Sequence, residues 1–177
     1  MKSVFALLFI SCLLVSAYGG ASRNLSLITP KADDEIDAIR AHYATINKGV
    51  ARYRKVKKDL SGYSTEGGTL EAYFDGASVK KIVATFYGEG GKAVEEYYYW
   101  DDQLIFVYRK ESRYSAPSSG KVVSATEDRF YFNGGRLIRW VEGKGKQVAP
   151  DKSEYGEKQK EYLENSGKFV ELVRSKG

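Results

Sequence analysis

From residue 33 to residue 57, apolar side chains return every three or four positions: Ile36, Ile39, Tyr43, Ile46, Val50, Tyr53 and Val56. That period belongs to an α-helix with one buried stripe. Asp33 and Asp34 suit the positive end of its dipole, and Arg52, Arg54, Lys55, Lys57 and Lys58 collect where the negative end would fall. Gly62 and the polar "STEGG" that follows mark the expected stop. From Thr69 the period drops to two. The alternating segments are Thr69–Phe74, Ser78–Tyr87, Lys92–Trp100, Gln103–Glu111, Glu127–Phe132 and Arg136–Glu142. "DGA" at Asp75, "DD" at Asp101 and "NGG" at Asn133 separate three of the pairs, and such residues tolerate the positive φ of tight hairpins. After Pro150 a second helical stripe returns, through Tyr155, Gln159, Tyr162, Leu163, Phe169, Val170 and Val173, with Gly156 and Gly167 as weak points.

The predicted fold is α+β: a long N-terminal helix and a C-terminal helix packed on one face of an antiparallel β-meander of about six strands. The strands carry a repeat. "EGGTLEAYFDG" at Glu66 matches "EGGKAVEEYYYWDD" at Glu89, with a partial third copy, "DRFYFNGG", at Asp128. Each ends in two aromatics, an Asp or Asn, and a turn.

The register follows from the turns. Taking "DGA" and "NGG" as three-residue loops and "DD" as a two-residue loop pairs Tyr73 with Val79, Tyr99 with Leu104 and Tyr131 with Leu137. Alternation then sorts the sheet into two faces. Leu70, Ala72, Phe74, Ile82, Ala84, Phe86, Val94, Tyr98, Trp100, Ile105, Val107, Phe130, Phe132, Ile138 and Trp140 form the face expected under the helices, with Glu96 as its one misfit. The opposite face is expected to stand open. Its candidate binding residues are Tyr73, Tyr87, Tyr97, Tyr99, Phe106, Tyr108, Arg129, Tyr131 and Arg139. Tyrosine and arginine combine contact area with directed hydrogen bonds, as recognition surfaces require. Tyrosine also suits a solvent-facing strand for its β-propensity alone.

The N-terminus adds a compartment. "MKSVFALLFISCLLVSAYGGAS" has a lysine, an apolar run and then small residues, the layout of a secretory signal peptide over residues 1–21. Residues 22–32 read as a flexible tether and 33–177 as a single domain. The expected location is secreted or periplasmic, with a lipoprotein anchored through Cys12 as the alternative. Cys12 is the only cysteine, so a processed chain would have no thiol for catalysis, disulfides or metal binding. A net charge of +5 favours anionic partners without being a nucleic-acid signature. No transmembrane segment is expected beyond the signal.

Catalytic chemistry finds little support. His42 is the only histidine and has no second ligand at metal-binding spacing. "GEGGK" at Gly88 fails the phosphate-loop pattern, since Phe86 stands at the first glycine and Ala93 at the hydroxyl. Ser78 with Lys81, and Ser118 with Lys121, have the S-x-x-K spacing but lie on a strand and a loop. Glu95 and Glu96 point to opposite faces, unlike a glycosidase pair, and Asp101 and Asp102 read as turn residues.

The string "STEGGTLEAYFDGASVKKIVATFYGEGGKAVEEYYYWDDQLIFVYRK", preceded by "IRAHYATIN", resembles an uncharacterised family of small secreted bacterial proteins. The resemblance spans roughly Ile39–Val141 and rests on the E-G-G…Y-[FW]-D hairpin. It implies an exported protein and supplies no catalytic residues. The hairpins are also similar in kind to MORN-type repeats, and the helix-on-meander layout to β-lactamase-inhibitor-protein and PepSY-like architectures. The functional expectation is a non-enzymatic envelope or extracellular protein, without cofactor or metal, that binds a protein or peptide partner through its Tyr-rich face. The alternatives are a carrier of a lipid or other apolar ligand and a carboxylate-dependent hydrolase. Oligomeric state is not legible.

Overall fold

The computed structural model describes residues 32–175. The expectations on the signal peptide, Cys12 and nearly all of the tether concern residues 1–31 and lie outside the described residues. The fold is α+β. Helix α1 (Ala32–Gly49) passes through one 3-10 turn, Val50–Arg52, into an antiparallel sheet. Its strands are β1 (Arg54–Asp59), β2 (Gly68–Asp75), β3 (Ser78–Gly88), β4 (Gly91–Trp100), β5 (Gln103–Tyr114), β6 (Val122–Asn133), β7 (Arg136–Glu142) and β8 (Lys146–Gln147). They lie in chain order, β1 to β8, and helix α2 (Ser153–Arg174) follows.

Among the described residues the sheet therefore has eight strands rather than about six. The added first strand corrects the helix prediction. The long helix was expected to run to Val56, but it ends at Gly49, where a Cβ would collide with the Tyr53 ring folding back over it. Past that point "RKVKKD" alternates as an edge strand. Val56 turns toward the core, Lys55 pairs with Glu71 at 2.8 Å, and the Arg54 guanidinium lies 4.4 Å from the centre of the Phe74 ring.

The helices take opposite faces of the sheet, correcting the expectation that both share one. Tyr155, Tyr162, Phe169 and Val173 of α2 pack on Leu70, Ile82, Tyr97, Tyr99, Val107, Phe130, Phe132 and Trp140. Ile36, Ile39 and Ile46 of α1 pack on Tyr98, Ile105, Phe106 and Tyr131. Burying each such large side chain contributes about 1.5–3 kcal/mol, so each helix is held by its own apolar stripe. Gly156 and Gly167 both lie inside α2 without breaking it.

One irregularity sets the faces. In each of three hairpins the register shifts beside the turn, between Tyr73 and Phe74, Tyr98 and Tyr99, and Tyr131 and Phe132. Phe74 pairs with Val79 but Tyr73 with Lys81; Tyr99 pairs with Leu104 but Tyr98 with Phe106; Phe132 pairs with Leu137 but Tyr131 with Arg139. Lys80, Ile105 and Ile138 are the skipped residues, each the extra residue of a bulge. The repeat seen in the sequence is thus also a repeat of backbone irregularity. Of the expected pairings Tyr99 with Leu104 holds, while Tyr73 with Val79 and Tyr131 with Leu137 are replaced. The "DGA" and "NGG" turns are two-residue loops with a bulge behind them, not three-residue loops.

The second glycine of each E-G-G motif also has a structural reason. A Cβ at Gly68 would meet the carbonyl of Thr85, and one at Gly91 the carbonyl of Ser112, on the adjoining strands. Any larger residue would push the strands apart.

Candidate functional site

The bulges align one cross-strand row on the α1 side: Tyr73, Lys81, Tyr98, Phe106, Tyr131 and Arg139. Helix α1 covers the middle of this row but leaves a hollow of about 480 Å³ beside it. Phe106 and Tyr108 of β5 and Arg129 and Tyr131 of β6 line the sheet side. Ile39, Arg40 and Tyr43 of α1 form the opposite wall, and Glu96 and Glu127 complete the lining.

The rings brace one another. Phe106 lies 5.0 Å from Tyr131 and 5.3 Å from Tyr43, centre to centre, the latter edge-on. Such pairs contribute about 0.5–1.5 kcal/mol beyond area burial, which holds the walls in place. The Arg129 guanidinium stands 5.8 Å from the Tyr108 ring centre and 3.1 Å from Glu127. Burial, with a hydrogen bond to Glu127 second, pushes the Tyr108 hydroxyl up to about 12, so it remains a neutral donor at physiological pH. A hydrogen bond to Tyr131, followed by one to Asp37, raises the Arg40 guanidinium.

Glu96, the misfit of the sequence, anchors the floor. Lys81 Nζ lies 2.9 Å from Glu96 Oε2 and donates at 2.9 Å to the Tyr98 hydroxyl. The one Tyr98 hydroxyl proton goes to Glu96 Oε2 at 2.5 Å, and the same hydroxyl oxygen lies 3.2 Å from Asn47 Oδ1 of α1. Burial, then the bond to Glu96, drives the Tyr98 hydroxyl far up. This cluster ties the helix to the sheet at the base of the cleft.

Four of the nine predicted binding residues, Phe106, Tyr108, Arg129 and Tyr131, line the cleft together. Arg139 is on the same face but reaches Asp33 at the start of α1, at 2.8 Å. Tyr73 sits further along the row toward β1, its hydroxyl on Glu71 and its ring near Lys55. Tyr87 is exposed at the far end of β3, away from the cleft. Tyr97 and Tyr99 were expected to face outward and do not. They lie under α2 at 0% and 3% exposure, Tyr97 edge-on to Phe169 and Tyr99 hydrogen-bonded to Ser166. The bulge is the cause: it shifts β4 by one residue against β5, which exchanges faces. Tyr98 and Trp100, expected beneath the helices, are on the α1 side, where Trp100 stacks on His42 at 3.9 Å.

Sequence reasoning missed Arg40 and Tyr43 because the stripe of α1 was read as core alone. It also missed Glu96 and Glu127, although a carboxylate inside an aromatic run was a usable signal. A larger hollow, of about 770 Å³, lies where β1 meets the end of α2. Its cations are engaged, Lys58 with the Ser175 carbonyl, Arg174 with Asp102 and Arg54 over Phe74, the one ring in its lining. Among the described residues no group of three or more metal-ligating side chains gathers.

A second acidic group is buried on the α2 side. Glu95, 5% exposed, accepts the Tyr97 hydroxyl at 2.6 Å, with Arg109 Nε 3.6 Å away. Burial raises its carboxyl above the ordinary 4.5, outweighing the Tyr97 bond and the Arg109 charge, which pull the other way. An acid held up in the fold favours the folded state when protonated. Its contribution is complete below 4.5 and is lost as pH rises through the raised value. The expected result is that wild type loses more stability than Glu95→Gln as pH rises from 4 toward 7, read from urea unfolding at each pH.

No helix among the described residues is long and apolar enough to cross a membrane. No family model, no curated protein and no solved structure matches this chain.

Proposed function

We propose that the protein is an exported, non-enzymatic binding protein that takes a segment of a protein or peptide partner into the cleft between α1 and strands β5 and β6. The observation that carries this is the convergence of Phe106, Tyr108, Arg129 and Tyr131 with Arg40 and Tyr43 around one hollow. The four charged side chains in its lining, Arg40, Glu96, Glu127 and Arg129, weigh against an acyl chain and so against the carrier reading. Glu96 and Glu127 are ion-paired to Lys81 and Arg129, an arrangement for holding walls rather than for passing protons to a substrate. The positive net charge favours an acidic segment. Export rests on the signal-like residues 1–21.

The test is selection of a displayed random-peptide library on the immobilised protein, followed by titration of the winners. A Tyr108→Ala/Arg129→Ala variant is expected to weaken them about 30-fold or more, the scale of a binding hot spot. A Tyr73→Ala/Tyr87→Ala control should bind as wild type. Failure to enrich any peptide, or equal binding by both variants, would overturn the proposal.

A further inference from the structure

β1 ends the sheet on one side, and its outer edge meets no strand among the described residues. From Arg54 to Asp59 its ladder with β2 runs without a shift, and beyond it the Leu60 N–H closes on the Gly68 carbonyl at 2.9 Å. Hydrogen-bonded and non-hydrogen-bonded pairs alternate along such a ladder. Counting back from Leu60, Arg54, Val56 and Lys58 turn their N–H and C=O groups toward β2. Lys55, Lys57 and Asp59 direct theirs outward. Side chains alternate as well. Lys55 and Lys57 lie on the α1 side, Lys55 paired with Glu71 at 2.8 Å and Lys57 exposed. Arg54, Val56 and Lys58 line the hollow of about 770 Å³ at the end of α2, together with the apolar Phe74 and Val173 and a third cation, Arg174. Arg174 is paired with Asp102, whereas a ring and a carbonyl leave the charges of Arg54 and Lys58 in place.

We propose that this edge binds an extended, acidic segment of a protein partner as an added strand, antiparallel to β1, with one apolar side chain of the segment set over the hollow. Strand addition draws affinity from backbone bonds and selectivity from pockets at alternate positions. Lys55 and Lys57 each present a free N–H and C=O to the segment. The residue opposite Val56 falls on the α2 side, between Arg54 and Lys58 and toward Phe74 and Val173. Acidic residues flanking that one meet cations on both faces of the sheet, where opposite charges across a ladder are favourable. The same charges exclude a second copy of this edge, since two β1 strands side by side would set cation against cation. The edge is separate from the cleft between α1, β5 and β6, and its role does not rest on the cleft's.

The experiment is an NMR titration of the isotope-labelled full chain with the blocked peptide Thr-Glu-Glu-Val-Glu-Glu, written to run from opposite Asp59 to opposite Arg54. Amide shifts are expected at Lys55 and Lys57 and not at Tyr108 or Arg129 in the cleft. Methylating the backbone nitrogens of the glutamates opposite Lys57 and Lys55 removes the N–H groups aimed at β1 and should weaken binding about tenfold or more. Methylating the valine nitrogen, which is aimed away from β1, should change binding by less than about twofold. On the protein side, Lys57→Pro should bind about tenfold more weakly than Lys57→Gln. Both lack the charge, and only the proline lacks the outward N–H, at an edge position where proline leaves the ladder with β2 intact. If the proline variant misfolds, the methylated peptides test the same bonds from the other strand. Shifts absent from β1, equal weakening by methylation at either set of positions, or equal binding by the two folded Lys57 variants would overturn the proposal.

Discussion

Tyr97→Ala is expected to lower the unfolding free energy by about 3–5 kcal/mol, the range for deleting a large aromatic from a packed core. The side chain is fully buried, edge-on to both Tyr162 and Phe169 of α2, and its hydroxyl serves the buried Glu95 carboxylate. Truncation would open a cavity beneath α2 and leave Glu95 without its shortest hydrogen bond. Tyr73→Ala and Tyr87→Ala, at a half-buried and an exposed position, should each cost about 1 kcal/mol or less. Urea unfolding of the three variants checks this. Comparable losses in all three would mean that β4 does not turn Tyr97 toward α2.

Lys81→Met should be the second most damaging change, at about 2–3 kcal/mol. This is less than the 3–5 typical of a broken buried ion pair, because the Glu96 side chain keeps 25% of its exposure. The loss comes from the groups left behind. Glu96 would keep its charge at the base of the cleft with only the Tyr98 hydroxyl to answer it, and Tyr98 would lose one of its partners. Removing the charge as well should recover much of the stability, so Lys81→Met/Glu96→Gln is expected to be clearly more stable than Lys81→Met. Chemical unfolding of the two decides the point. No recovery in the double variant would show that Lys81 contributes by packing its stem and not by its charge.

The periods of the sequence disclosed what depends on side-chain pattern alone: both helices and six of the strands. They did not disclose β1, because Val50, Tyr53 and Val56 continue the helical spacing past Gly49. The close approach of Tyr53 to that glycine is a tertiary fact without local mark. The sorting of faces failed for a related reason. A bulge takes one extra residue that carries no mark in composition, yet beyond it every side chain on that strand exchanges sides relative to its neighbour. Tyr108, Arg129 and Tyr131 were placed together correctly because β5 and β6 pair regularly through that stretch. Tyr97 and Tyr99 were misplaced because the extra residue Ile105 sets Tyr97 opposite Val107 and puts Leu104, the partner of Tyr99, on the same face as Val107.

The strictly sequential order of the strands bears on how the chain acquires its shape during synthesis. Each strand finds its neighbour in the segment made just before it, so the sheet can extend hairpin by hairpin with only short loops to close. The two faces are not completed together. Helix α1 precedes the whole sheet and is on hand as its face forms, whereas α2 emerges only after all eight described strands. Until it does, Tyr97, Phe130, Phe132 and Trp140 stand in water on a finished sheet, a sticky intermediate of the kind that chaperones shield. Helix α2 therefore serves, in the time order of the chain's making, as the lid on an apolar sheet face completed before it.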